Sequence, residues 1–227
     1  MSDPAVPPAP TRRALNREYL AAAALALIDA EGLRKFSMRR LGAVLNVDPM
    51  AAYRHFADQE ELFDGVAEAL FAELDIDSLP WQEPWQRLAG QYCRRLRDVL
   101  LRHPHAVSVF ATRPVRSPAS IEMGVRAVAK LRDAGLPPPT ALRVLRCLRE
   151  FTIGHALSVS TLQLGAQRRS RKPDKGSPRY NLLAQAADET APDDHFETGL
   201  RAMLRGIEES LGDQRSTGLA RGESAGL

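Results

Sequence analysis

Two helix-starting signals stand so close together in this chain that only a helix, a corner and a second helix fit around them. Ser37 is a good N-cap, and Met38, Leu41, Val44 and Leu45 repeat behind it at the spacing of an amphipathic helix. Asn46 follows, a residue that tolerates the left-handed backbone found where helices end. Asp48 then caps again, with Pro49 at a first helical position where its missing N–H costs nothing. The stretch from Ser37 to Phe56, SMRRLGAVLNVDPMAAYRHF, therefore reads as a helix-turn-helix. An ordinary corner in a helical bundle has the same outline. What the second helix offers to solvent tips the reading toward DNA. Met50, Ala51, Tyr53, Arg54 and His55 are small, aromatic or donor-bearing, while Ala52 and Phe56 can face inward. Small residues allow close approach to base edges, and Arg, His and Tyr donate to bases or phosphates.

Around this corner the chain resembles the tetracycline-repressor (TetR) family of bacterial transcription regulators. The matching residues start at Tyr19-Leu20, run through Ala24, Leu27 and Gly32, and continue through Ser37–Phe56 and the DQEELFDGV that follows. Ala43 and the Tyr53-x-His55-Phe56 ending fit the family's pattern. The candidate DNA-binding residues are Ser37, Arg39, Arg40, Met50, Ala51, Tyr53, Arg54, His55 and Gln59. Arg39 and Arg40 are the phosphate donors suggested by charge and by family position; Tyr53 and His55 are further phosphate contacts, with Arg54 charged beside them. Met50 and Ala51 are expected at base edges, against a thymine methyl for example. The family usually carries Lys where this chain has Gln59, which can donate only as a neutral group.

Helical periodicity continues along the whole chain, and no segment alternates with period two for long enough to claim a strand. The expected fold is all-α: an N-terminal three-helix helix-turn-helix domain and a larger helical domain for ligand binding and dimerisation. Residues 1–12 read as a disordered arm carrying Arg12, residues 13–60 as the DNA-binding domain, 61–212 as the regulatory domain and 213–227 as a disordered tail. Helices are expected at about Asn16–Glu31, Asp58–Leu74, Trp85–His103 and His105–Phe110, with another starting at Ser117-Pro118 and stopped by Gly135. Further ones are expected at Thr140–Leu164, Tyr180–Ala187 and Asp193–Leu211. The arginine-rich side of Trp85–His103 reads as a solvated face before a second nucleic-acid surface.

The body resembles the regulatory domain of tetracycline-repressor-type proteins. Trp85-Gln86, Leu100-Leu101, Thr112-Arg113-Pro114, Phe151-Thr152-Ile153-Gly154 and Phe196 with Gly199-Leu200 carry that likeness. It implies a homodimer formed through the long helix near 140–164 and the last helix near 193–211. The small residues Gly199, Ala202 and Gly206 suit close helix approach. Two-fold pairing would set recognition helices about 34–36 Å apart on a palindromic double-stranded DNA operator. It also implies a small-molecule effector site, with Leu88, Tyr92, Leu96, Val109, Thr112, Arg113, Leu145 and Arg149 as candidate lining; plain core packing is the other reading of these residues. Where such proteins use a histidine and a partner-subunit glutamate to hold a drug–magnesium chelate, this chain has Val109 and Ser158. No metal site, no cofactor and no magnesium–tetracycline sensing are expected.

Charge permits this reading without arguing for it: the formal net charge is +3 and the pI about 9.1. Neither a long apolar run nor a hydrophobic signal core occurs, so a cytoplasmic, nucleoid-associated protein without a membrane partner is expected. The two cysteines, Cys93 and Cys147, match no metal spacing. His55, His103, His105, His155 and His195 are scattered, and no HExxH, GxSxG or phosphate-cradling loop assembles a nucleophile with a base. The function expected is thus a ligand-responsive transcriptional regulator and not an enzyme. A repressor released by a small, mostly apolar effector is the first reading; an activator or a ligand-independent DNA-binding protein is the alternative.

Overall fold

The computed structural model describes residues 15–113, 116–165 and 192–222, and every described element is helical. The first helix, α1 (Arg17–Glu31), starts where the Asn16 side chain accepts from the Tyr19 amide at 2.7 Å and ends at Gly32, whose φ of 85° a side chain would resist. α2 (Met38–Val44) and α3 (Pro49–Tyr53) form the expected corner. Ser37 accepts from the Arg40 amide, Asp48 from the Met50 amide at 2.8 Å, and Asn46 takes φ 51°. α4 (Gln59–Ala72) begins where Asp58 accepts from the Glu61 amide at 2.8 Å.

Leu20, Ala24 and Ile28 of α1 meet Leu41 of α2, Ala52 of α3, Phe56, and Leu62 and Val66 of α4, all at or near zero exposure. This core does not stop at the edge of the head. It continues along α4 through Leu70 and Phe71 into α5 (Trp85–Arg102) and α6 (Val107–Thr112), through Leu96, Leu100, Val107 and Phe110. α4 therefore has two customers for one apolar face, and any shift of α4 relative to the body is carried to α1–α3.

α7 (Pro118–Asp133) opens on Ser117 as N-cap, and α8 (Pro138–Gln163) packs against α5, α6 and α7. The last helix, α9 (Pro192–Gly222), lies on α5 and α8. A second core of Trp85, Cys93, Leu131, Leu148, Phe196 and Leu200 joins α5, α7, α8 and α9.

Three expectations shift. α9 continues to Gly222 where a disordered tail was expected from 213: the residues after Leu211 include good helix formers and no proline, and an isolated glycine costs only about 1 kcal/mol. α6 starts two residues later than expected, because Pro104-His105-Ala106 forms a turn closed by the Ala106 amide on the His103 carbonyl at 2.9 Å. Gly199 does not await a partner helix: a Cβ there would stand 2.6 Å from the Phe151 ring, so its lack of a side chain lets α8 and α9 of one chain close together. The Tyr180–Ala187 helix and the 1–12 arm lie outside the described residues.

The arginines of α5 are structural. Arg94 makes two 2.8 Å bonds to Glu197 of α9, and Arg102 pairs with Glu73 at 2.8 Å. Arg95 donates to the carbonyls of Leu74 and Asp75 and to the Ser78 hydroxyl, gripping the joint after α4 where Asp75 itself sits at φ 46°. Among the described residues no helix is long and apolar enough to cross a membrane.

Candidate DNA-contacting face, junction and interior cavity

The corner buries what it must and exposes what DNA would read. Ala52 and Phe56 are at 0% and 1% exposure, while Met50 stands at 61% and Tyr53 at 42%. Arg39 and Arg54 are exposed, without a carboxylate partner among the described residues; Ala51, His55 and Gln59 are half-buried at the edge of the same face. Tyr53 thus presents part of its ring to solvent on this face.

Two of the expected DNA donors are already engaged. The Ser37 hydroxyl is used as the α2 cap. Arg40 donates to both oxygens of Glu31 at the end of α1, with Nε at 3.0 and 3.1 Å, and this contact holds the Glu31 carboxyl below its ordinary range. In this arrangement Arg40 fastens α1 to α2 through that carboxylate. A residue absent from the candidate set, Arg17, does related work on α3. It donates to the His55 carbonyl, pairs with Glu61 at 2.8 Å and lies 4.2 Å over the Phe56 ring. Glu61 in turn accepts from the Ala57 amide at 2.6 Å, the main reason its carboxyl is lowered. No local spacing announces a pair so far apart in sequence.

Two side chains fasten head to body. Arg113, just past α6, donates to the Glu60 carbonyl at 2.9 Å and Asp64 Oδ1 at 2.8 Å, pairs with the Glu60 carboxylate and lies over Phe63. It is corrected from ligand lining to a bridge from α6 to the first turns of α4. His103, the α5 C-cap, has Nδ1 2.6 Å from Asp29 of α1 and Nε2 3.1 Å from Glu73 at the end of α4. The bond to Asp29 is the main cause holding its pKa above the ordinary histidine value, with Glu73 adding to it and burial opposing it. A raised folded pKa gives stability that is full below the unfolded value of about 6.5 and is lost as pH rises through the folded one. Wild-type protein should therefore show a urea midpoint that falls as pH rises above about 6.5, and His103→Gln should lack that fall. An identical fall in the variant would assign the effect to other groups.

In the body, α5, α7 and α8 line a cavity of about 180 Å³ that is partly open to the surface. Leu88 and Tyr92 of α5 and Leu145 and Arg149 of α8 line it, four of the eight candidates. The other four are elsewhere for clear reasons. Leu96 and Val109 are sealed in the core at 0% and 3% exposure, Thr112 is exposed with its hydroxyl turned back to the Ser108 carbonyl at 2.9 Å, and Arg113 is the bridge just described. In their place stand Trp81, Trp85 and Leu79 from the joint and helix start, and Met123, Ala127 and Leu131 from α7. Trp81 is fixed there: its Nε1 donates to the Ile76 carbonyl at 2.9 Å, Lys130 donates to its carbonyl, and Arg126 lies 3.9 Å over its ring. The Tyr92 hydroxyl has no hydrogen-bond partner among the described residues, and burial pushes its pKa well up. Among the described residues no three His, Cys, Asp or Glu side chains gather as a metal site. The Val109 and Ser158 positions offer no His or Glu ligand; Val109 is core and Ser158 exposed.

Residues 20–66 match the family described as bacterial regulatory proteins, tetR family, and residues 79–211 match the tetracyclin repressor-like, C-terminal domain. The HTH-type transcriptional repressor DrrR1 of Streptomyces coeruleorubidus is 27% identical over 96% of this chain and 83% of its own. The class C tetracycline repressor protein of Escherichia coli is 30% identical over 86% of this chain and 91% of its own. Among solved structures, the TetR family protein ActR of Streptomyces coelicolor in complex with actinorhodin superposes with a TM-score of 0.72 at 26% identity, covering 87% of this chain and 99% of that one.

Proposed function

This chain belongs to the TetR family of bacterial regulatory proteins, and from that premise we propose that it is a repressor released from DNA by a small-molecule effector. The observation that carries the reading is the α2–Asn46–α3 corner, which turns Met50, Tyr53 and Arg54 outward over a sealed Ala52 and Phe56. Residues 13–60 act as the reading head and 61–212 as the sensor. A homodimer through α8 and α9 accounts for the exposed Leu157 of α8, and pairs two heads across a palindromic operator on the cytoplasmic nucleoid. The effector occupies the apolar cavity, as a ligand occupies the actinorhodin-bound relative. Its arrival displaces α8 against α6, and Arg113 hands that displacement to α4 through Glu60 and Asp64. A coupling of about 1–3 kcal/mol is enough for a several-fold to hundred-fold loss of operator affinity.

The test is anisotropy of a labelled duplex from the chain's own upstream DNA, titrated with protein and with salt. Palindrome-dependent binding with a steep salt slope is expected. Arg39→Ala should weaken all sequences alike and lower that slope by about one. Binding that ignores the palindrome would overturn the repressor reading, and an unchanged slope would remove Arg39 from the phosphate contacts.

A further inference from the structure

The charged groups around the cavity are all of one sign. Arg146 and Arg149 of α8 line it, and no carboxylate does. The arginines of α5 find acidic or carbonyl partners within the fold, whereas neither of these two has a carboxylate partner among the described residues. Arg149 is half-buried with its guanidinium 5.3 Å over the Phe110 ring, and Arg146 is exposed. A half-buried guanidinium left without an anion keeps an uncompensated charge at the edge of a carbon-walled space, where attraction to an arriving anion is weakly screened. The Tyr92 hydroxyl adds one unpartnered donor on the same wall, and the Arg149 charge acts on that phenol, opposing the effect of its burial. The rings of Trp81 and Trp85 supply flat apolar surface.

We propose that this cavity selects an aromatic ligand carrying a negative charge, its ring against Trp81 and Trp85 and its anionic group on Arg149 and Arg146, with the Tyr92 hydroxyl as a further donor. The proposal rests on reading the cavity as the effector site and deepens it by naming the ligand class. Size limits that class further. An apolar cavity of about 150 Å³ accepts benzene, so about 180 Å³ fits one substituted ring without rearrangement. Arginine suits a carboxylate better than lysine would, because its planar fork matches two oxygens at once.

The experiment compares three probes on the same ring by calorimetry with the full chain: 4-isopropylbenzoate, its neutral near-isostere 4-isopropylbenzamide, and the cationic 4-isopropylbenzylammonium. The carboxylate should bind tighter than the amide by about ten-fold or more, and the ammonium weakest. Arg149→Met should bring the carboxylate down to the amide's affinity while leaving the amide unchanged. Arg146→Met, at an exposed position that does not threaten the fold, should lose part of the same preference. Equal binding of all three, a preference for the ammonium, or a carboxylate preference that survives both substitutions would overturn the charge assignment and leave the effector cavity standing. No binding by any probe would overturn the cavity as effector site, and the ligand class with it.

Discussion

Replacing Met50 by glutamate should weaken operator binding by at least about a hundred-fold while leaving the melting temperature essentially unchanged. The two halves of that expectation come from one observation, the 61% exposure of Met50 on α3. A side chain that buries so little has little to lose in stability, and surface substitutions away from special features are usually within about 0.5 kcal/mol. A carboxylate at the centre of the DNA-facing surface, in contrast, meets phosphate charge and base acceptors, and such like-charge juxtaposition costs several kcal/mol, or roughly two decades or more in affinity. Met50→Ala is the control and should lose far less. Retained binding in Met50→Glu, measured on the same duplex and at the same salt, would show that α3 does not face the groove.

The second large effect concerns the fold itself. Phe56→Ala should cost about 3–5 kcal/mol in urea denaturation, the range for large aromatic truncations in a packed core. Phe56 is 1% exposed, lies 4.2 Å beneath the Arg17 guanidinium, and is packed so closely that a Cβ on Gly65 would stand 3.1 Å from its ring. The cavity cannot collapse cheaply, because α1 and α4 are held at their own spacing by Leu20, Ile28, Leu62 and Val66. Phe56→Leu keeps most of the volume and should cost well under half as much. Because the core is continuous from α1 to α6, the loss should appear as one lowered transition. A separate early melting of the head would show that α4 does not bind the two parts together.

Features set by a few consecutive residues were legible in the sequence. Asn16, Ser37, Asp48, Asp58 and Ser117 all announce helix starts because a capping oxygen reaches an amide only two or three residues ahead. Asn46 announces the corner for a similar local reason, its tolerance of positive φ. What escaped is what depends on partners distant in the chain. The pairing of Arg40 with Glu31 has no local signal, and Arg113 looks like pocket lining until Glu60 and Asp64 arrive from α4. Most of the cavity wall was missed for the same reason. Trp81 lies before the first residue of α5, outside any helical period, and its ring is held in the wall by the Ile76 carbonyl and by the Arg126 guanidinium of α7. Periodicity assigns a face to a helix; it says nothing about which face of a loop the fold will use.

The chain has two tryptophans in all, Trp81 and Trp85, and both stand in the cavity wall. Its indole emission, excited selectively at the red edge of the absorption band, therefore originates in one small volume of the molecule. Whatever enters that volume changes the surroundings of every indole emitter at once, in colour and in intensity. The protein carries its own optical gauge of occupancy, readable without label or DNA.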